Sequence, residues 1–252
     1  MKIKLFSIFL AAFLVLIFNS CSKKSNDNMP EDKCDFVKEW HIFDYWGKPT
    51  MNTTFIYDSQ GRIIHVDGED QNQSTFTYTK TTIKLDATAF DGEKTAMIFY
   101  LDGKGRITHT DKYSHNCKYD AEGHLISYRI PYGYNGTING YTTYTLGYEN
   151  GNLVKITAAE PGVTHGNVDL SYLDKPAQEN MGYNSPLYLS GMLGARDYFL
   201  LIQGGYFGKT SKNLLKAIDF HDGYTRADTE YTFDAKGRVQ KTQFFGFKYQ
   251  CD

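Results

Sequence analysis

The side chains of this chain that could do chemistry are few. The first to weigh is Gly204-Gly205-Tyr206-Phe207-Gly208-Lys209-Thr210, which follows the apolar run Tyr198-Phe199-Leu200-Leu201-Ile202. A glycine-rich loop ending in Gly-Lys-Thr suggests backbone amides cradling phosphate, with the lysine reaching its outer oxygens. Such a loop needs a second glycine five residues before Gly208, and Gln203 stands there. It also needs strands alternating with helices, whereas the chain around it reads as strand after strand. A nucleotide site at Lys209 is therefore not expected. His109, His115 and Cys117 share one parity along a short stretch, a spacing that places imidazole and thiol on one strand face. Zinc takes four converging ligands in a structural site, and no Cys-x-x-Cys pair or second cluster completes the set. Gly-x-Ser-x-Gly, His-Glu-x-x-His and Ser-x-x-Lys are all absent. Carboxylates are numerous, but Asp58, Asp102, Asp120 and Asp234 each stand three residues before a glycine. That position makes them turn formers first and acid-base candidates second. The expectation is a non-enzyme with no catalytic residue, no cofactor and no metal.

The elements that position these residues announce themselves through a recurring phrase. It reads Tyr57-Asp58-Ser59-Gln60-Gly61-Arg62-Ile63, Leu101-Asp102-Gly103-Lys104-Gly105-Arg106-Ile107, Tyr119-Asp120-Ala121-Glu122-Gly123-His124-Leu125 and Phe233-Asp234-Ala235-Lys236-Gly237-Arg238-Val239. A shorter version is Tyr148-Glu149-Asn150-Gly151-Asn152-Leu153. An apolar residue ends one strand, Asp binds its own backbone, Gly supplies positive φ, and an aliphatic residue opens the return strand. Between the phrases, Phe76 and Tyr78, Ile83 and Leu85, Tyr144, Leu146 and Tyr148, and Phe245, Phe247 and Tyr249 alternate with polar neighbours. Met97-Ile98-Phe99-Tyr100-Leu101 is an unbroken apolar run, which predicts a buried strand. The fold class is all-β: a large antiparallel meander forming a strongly curved or barrel-like sheet. Between Tyr172 and Lys212 the phrase disappears. There Asp174 as cap, Pro176 in the first turn and Ala177-Gln178-Glu179 predict a short helical insertion, with a second short helix over Pro186 to Met192.

At the start of the chain, Lys2 and Lys4 precede an apolar stretch from Leu5 to Phe18, and Asn19-Ser20-Cys21 closes it. About 14 apolar residues make a signal-peptide core rather than a bilayer span. A cysteine after a small residue at this place resembles a bacterial lipobox. Cleavage is expected before Cys21, whose sulfur and new amino group carry the acyl chains. Residues 1–20 are then signal peptide, 21–33 a polar flexible tether, and 34–252 a single antiparallel β domain. Of the remaining cysteines, Cys34 opens the folded part and Cys251 nearly ends it. If the first and last strands become neighbours, these two are the preferred disulfide, and Cys117 is left over.

Net charge is −2 with no basic run, so nucleic acid is not an expected partner. Aromatics reach 15%, with 20 Tyr and 17 Phe. Their alternation suits cross-strand packing, and a concave aromatic face would also suit a glycan or a lipid-like ligand. A transmembrane barrel would need a lipid-facing apolar band, yet the positions opposite the aromatics hold Thr, Lys, Glu and Asp.

The lipobox, the Tyr-Asp-x-x-Gly-Arg turns, and Gly208-Lys209-Thr210-Ser211-Lys212-Asn213-Leu214 followed by the Phe233-Asp234 hairpin resemble a group of Bacteroidetes-type lipoproteins of unknown function with a porin-like β fold. The hairpin phrase alone is also similar to the YD repeats of Rhs-type shell proteins. The resemblance implies a curved antiparallel sheet approaching a barrel and carries no catalytic residues. Surface-exported lipoproteins of such bacteria often carry acidic residues after the lipidated cysteine, whereas Ser22-Lys23-Lys24-Ser25 stands here. The outer membrane, on its periplasmic side, is the expected location. The functional expectation is non-enzymatic binding of a glycan or lipid-like ligand on the concave aromatic face. The alternative is a structural or protein-interaction module of the envelope.

Overall fold

A computed structural model describes residues 36–252, apart from 44–47, 70–71, 90, 113–115, 135–136, 160–166, 179–195, 222–224, 227–229, 243–244 and 252. Strands β1 (Val37–Phe43), β2 (Pro49–Tyr57), β3 (Ile63–Gly68), β4 (Gln73–Tyr78), β5 (Thr82–Thr88), β6 (Lys94–Leu101) and β7 (Ile107–Thr110) follow one another as antiparallel neighbours. The strands β15 (Thr232–Phe233), β16 (Val239–Lys241) and β17 (Phe245–Tyr249) complete this ten-stranded sheet, with β17 on the outer side of β1. A seven-stranded sheet holds β8 (Lys118–Tyr119), β9 (Leu125–Tyr134), β10 (Thr137–Glu149), β11 (Asn152–Ala158), β12 (Asn167–Pro176), β13 (Asn213–Asp219) and β14 (Thr225–Arg226) in sequence order. The fold is all-β and antiparallel with one short helix, α1 (Arg196–Gln203). The two ladders do not join into a closed barrel. Where β7 gives way to β8, the Cys117 amide donates to the Thr108 carbonyl at 2.8 Å.

Period-two alternation decides which face is inside. In β4, Ser74 and Phe76 are buried while Gln73, Thr75 and Thr77 are exposed. Opposite them in β5, Leu85 pairs with Phe76 and Ile83 with Tyr78, and Lys84 points out. Tyr144 pairs with Tyr128 across β10 and β9, their rings stacked 5.3 Å apart. Phe245, Phe247 and Tyr249 line the inner face of β17, and Trp40 of β1 stacks on Phe245 at 5.5 Å. Inner-face residues of both sheets belong to one apolar cluster. At about 25 cal/mol per Å² of apolar surface removed from water, this burial is what holds the sheets.

Three expectations need correction. The run from Met97 to Leu101 is a strand but not a buried one throughout: among its residues only Phe99 is fully buried, because β6 follows the same one-sided rule as its neighbours. Asp174 caps no helix, since Asp174 to Pro176 finish β12 and Pro176 pairs with Asn213. The helix lies later, in the apolar run at Leu200, Leu201 and Ile202, all buried. The segment Pro186 to Met192 lies outside the described residues. Finally, the concave aromatic face is no open platform. Trp40, Phe55, Phe76, Phe99 and Tyr128 are each at most 4% exposed, packed against their own neighbours.

Candidate functional site: the turn-rich end

All five phrases form hairpins, at β2–β3, β6–β7, β8–β9, β10–β11 and β15–β16. In an antiparallel meander the even-to-odd turns emerge at one end, which gathers the first four. The pairing of β17 with β1 puts the β15–β16 turn at the same end. Each phrase also carries a register shift, and Gly61, Gly105, Gly123 and Gly237 have φ of 78°, 80°, 99° and 81°. These are turns with a glycine bulge, the conformation that demands glycine.

The side chains of the phrase build a bracket. Asp102 Oδ1 accepts from the amides of Lys104 and Arg106 at 2.8 and 2.9 Å, and Oδ2 accepts from Arg106 Nε and Nη2 at 2.9 and 2.7 Å. The Arg106 guanidinium lies 4.2 Å over the Tyr119 ring, and the Tyr119 hydroxyl donates to Ile107 O at 2.7 Å. Asp58, Arg62 and Tyr78 repeat the arrangement, with Tyr78 donating to Ile63 O. So do Asp234, Arg238 and Tyr249, with Tyr249 donating to Val239 O. In the third phrase His124 replaces arginine, bonded to Asp120 and stacked on Tyr148 at 4.5 Å. Burial opposes the charge on these four carboxyls. The hydrogen bonds from turn amides and the partner side chain together outweigh it and hold each below the ordinary aspartate value. Burial raises the phenols of Tyr78 and Tyr119. The carboxylates are thus engaged in architecture, as their place in the sequence implies.

The chain from α1 to β13 lies across this end and is stitched to it. Ile107 N donates to Tyr206 O at 2.8 Å, Lys209 N to Gly123 O at 3.0 Å, and Lys212 N to Gly151 O at 2.9 Å. Ser211 Oγ accepts from Leu153 N and contacts the Tyr172 hydroxyl at 2.9 Å, while Asn213 N donates to Asn152 Oδ1. This explains Ser211-Lys212-Asn213-Leu214 as a structural motif. The glycine-rich loop follows the C-terminus of α1, where the helix dipole is negative, not an N-terminus. Its amides at Gly204, Gly205, Tyr206, Gly208 and Lys209 all donate to backbone carbonyls, so none of these five is left to cradle phosphate.

Between the β6–β7 and β8–β9 turns and this segment lies a cleft of about 670 Å³. Lys104, Arg106, Glu122, Gln178, Lys209 and Lys212 supply its charged and amide groups. Gly123 brings two of them together: a Cβ there would lie 3.8 Å from Arg106 Nη1 and 3.9 Å from Lys209 Cγ. Arg106 Nη1 is buried without a hydrogen-bond partner among the described residues. Gln178 is fixed by its carboxamide oxygen, which accepts from Val239 N at 2.8 Å. A smaller cavity of about 220 Å³ lies beside Tyr57, Arg62, Tyr78, Gln203 and Tyr206. Sequence reasoning missed the larger cleft because its walls come from separate stretches between Lys104 and Lys212, and only folding joins them.

Of the earlier candidates, Cys21, Cys34 and His115 lie outside the described residues. Cys117 is a buried free thiol whose pKa burial pushes up to about 12. Cys251 is disulfide-bonded. No group of three metal-ligating side chains converges among the described residues, and none of their helices is long and apolar enough to cross a membrane.

These features define an all-β domain of porin-like architecture. No family model matches the sequence, and no curated protein does. Among solved structures, the chain is similar to a porin-like protein from Bacteroides uniformis ATCC 8492 solved at 2.32 Å. The TM-score is 0.58 at 16% identity, over 85% of this chain and 96% of that one. At this identity the likeness speaks for the fold alone.

Proposed function

We propose that the chain is a lipid-anchored, non-enzymatic binding protein of the outer membrane, tethered through Cys21 on the periplasmic side. Its ligand is a glycan-sized molecule held in the cleft at the turn-rich end. The observation that carries this reading is the cleft itself, whose volume of about 670 Å³ falls within the roughly 300–1,000 Å³ usual for small-ligand sites. Its walls include turns clamped by the Asp102–Arg106 and Asp120–His124 pairs, so little order has to be imposed on binding. Glu122, Gln178 and Thr210 offer the hydrogen-bonding groups that sugar hydroxyls need. Ala121, Pro176, Ala177 and the stems of the lining lysines add apolar surface on which a sugar ring can rest between these polar groups. The test is retention of the detergent-solubilised full chain on arrays of neutral and acidic oligosaccharides, beside phospholipid vesicles. Binding to a glycan that Ala121→Trp abolishes by filling the cleft is expected. Retention untouched by that substitution, or no retention at all, overturns the reading. For the anchor, uptake of labelled fatty acid is expected in the parent and absent in Cys21→Ser; labelling of the variant overturns it.

A further inference from the structure

Three lysines and an arginine meet at the cleft from two separate parts of the chain. Lys104 and Arg106 come from the β6–β7 turn, and Lys209 and Lys212 from the loop after α1. Against them the described residues of the cleft lining set one carboxylate, Glu122. Asp102 is spent on Arg106, and Asp120 on His124 and its own turn. Lys104, Lys209 and Lys212 form no ion pair among the described residues, whereas Lys84 and Lys248 elsewhere on the sheet do. Arg106 adds a second sign. Two of its nitrogens serve Asp102, but Nη1 is buried with no acceptor among the described residues. An unsatisfied donor on a charged group is costly, and an anion held in the cleft beside it would offset part of that cost electrostatically. The molecule as a whole has net charge −2, so this excess of positive charge is local rather than a reflection of overall composition.

We infer that the cleft selects an acidic saccharide, one bearing carboxylate or sulfate groups that the lysines and Arg106 meet while Glu122, Gln178 and Thr210 read hydroxyls. This rests on the cleft being the binding site. A lone phosphate-type anion is disfavoured because the loop amides are already bonded.

Calorimetric titration of the full chain with trigalacturonate, sulfated galactotriose, neutral galactotriose and inorganic phosphate tests it. One or both acidic sugars should bind at least about tenfold tighter than the neutral one, and more weakly as salt rises. The triple variant Lys104→Gln/Lys209→Gln/Lys212→Gln changes exposed side chains that hold no structural bond. It should lose about tenfold for the acidic sugar and nothing for the neutral one. Equal affinity for neutral and acidic sugars overturns the charge selection and leaves the cleft reading standing. Phosphate binding as tightly as the sugars overturns the saccharide assignment. No binding in any arm overturns both.

Discussion

Replacing Asp234 by Ala measures what the turn brackets contribute to stability. The Asp234 carboxylate accepts from Lys236 N at 2.9 Å, Arg238 N at 2.8 Å and Arg238 Nε at 2.7 Å. The Arg238 side chain is 6% exposed and lies 4.0 Å over the Tyr249 ring. Removing the carboxylate strips its hydrogen bonds from a guanidinium largely shut away from water, a change that costs about 3 kcal/mol. Asp58→Ala removes the same bonds from Arg62, but that side chain is 35% exposed and water replaces the partner. An exposed pair of this kind is worth about 0–1 kcal/mol. Arg106 at 16% exposure places Asp102→Ala between the two. Urea unfolding at neutral pH, followed by tryptophan fluorescence and far-UV circular dichroism, should rank the losses Asp234, then Asp102, then Asp58. In a chain of this size the first should lower Tm by about 10 °C, at roughly 2–4 °C per kcal/mol. These carboxyls have depressed pKa values when folded, so their contribution is present above the unfolded value of about 3.9. It is lost as pH falls through the folded value, and the variants should converge on the parent in acid. Equal losses at all three turns would refute the argument from burial.

Other outcomes can be checked with the same preparation. Gly208→Ala should cost about 2–4 kcal/mol, because its Cβ would overlap Gly123 O at a φ of +83°. Gly105→Ala, at φ +80° with open space around it, should cost only about 1 kcal/mol by the same urea assay. Cys117 should resist iodoacetamide at pH 8 until the protein unfolds, since burial lifts its thiol pKa to about 12. Non-reducing peptide mapping should join Cys251 to Cys34. Val37 pairs with Tyr249, and Gln250 N donates to Phe36 O, so the β1–β17 register runs toward both cysteines. A link from Cys251 to Cys21 would contradict this.

The hairpins were legible in the sequence because each phrase carries its own cause: Asp58 closes its turn on Gln60 and Arg62 with no help from the rest of the chain. The alternation of Phe76 with Tyr78, and of Phe245 with Phe247, likewise reports the inner face directly. What local pattern hides is tertiary. Asp174, Pro176 and Ala177 carry every sign of a helix start, yet pairing with β13 draws Asp174 to Pro176 into a strand. The partner of each arginine was also invisible, since Arg62 meets Tyr78 and Arg106 meets Tyr119 only after the strands align. For the same reason no motif pointed to the cleft, whose lysines lie about 100 residues apart.

The porin-like architecture does not carry a porin's physical logic with it. A barrel in lipid turns its apolar side chains outward and keeps its interior polar. Here Phe76, Ile83, Phe99 and Ile156 are buried inside, while Thr75, Thr77, Lys84 and Lys155 face out. Among the described residues Ile56 is the sole large apolar side chain that is strongly exposed, too little for a lipid-facing band. The aromatic interior is used up by packing, so strand faces that would line a conduit have no room to serve one. The open cavity lies instead at the rim. There the repeated brackets make rigid turns, and the loop after α1 adds positive charges that the sheet does not neutralise. The repeats thus serve as scaffold and also furnish Lys104, Arg106 and Glu122 to the cleft, while the segment that breaks the repeat adds Lys209 and Lys212 opposite them.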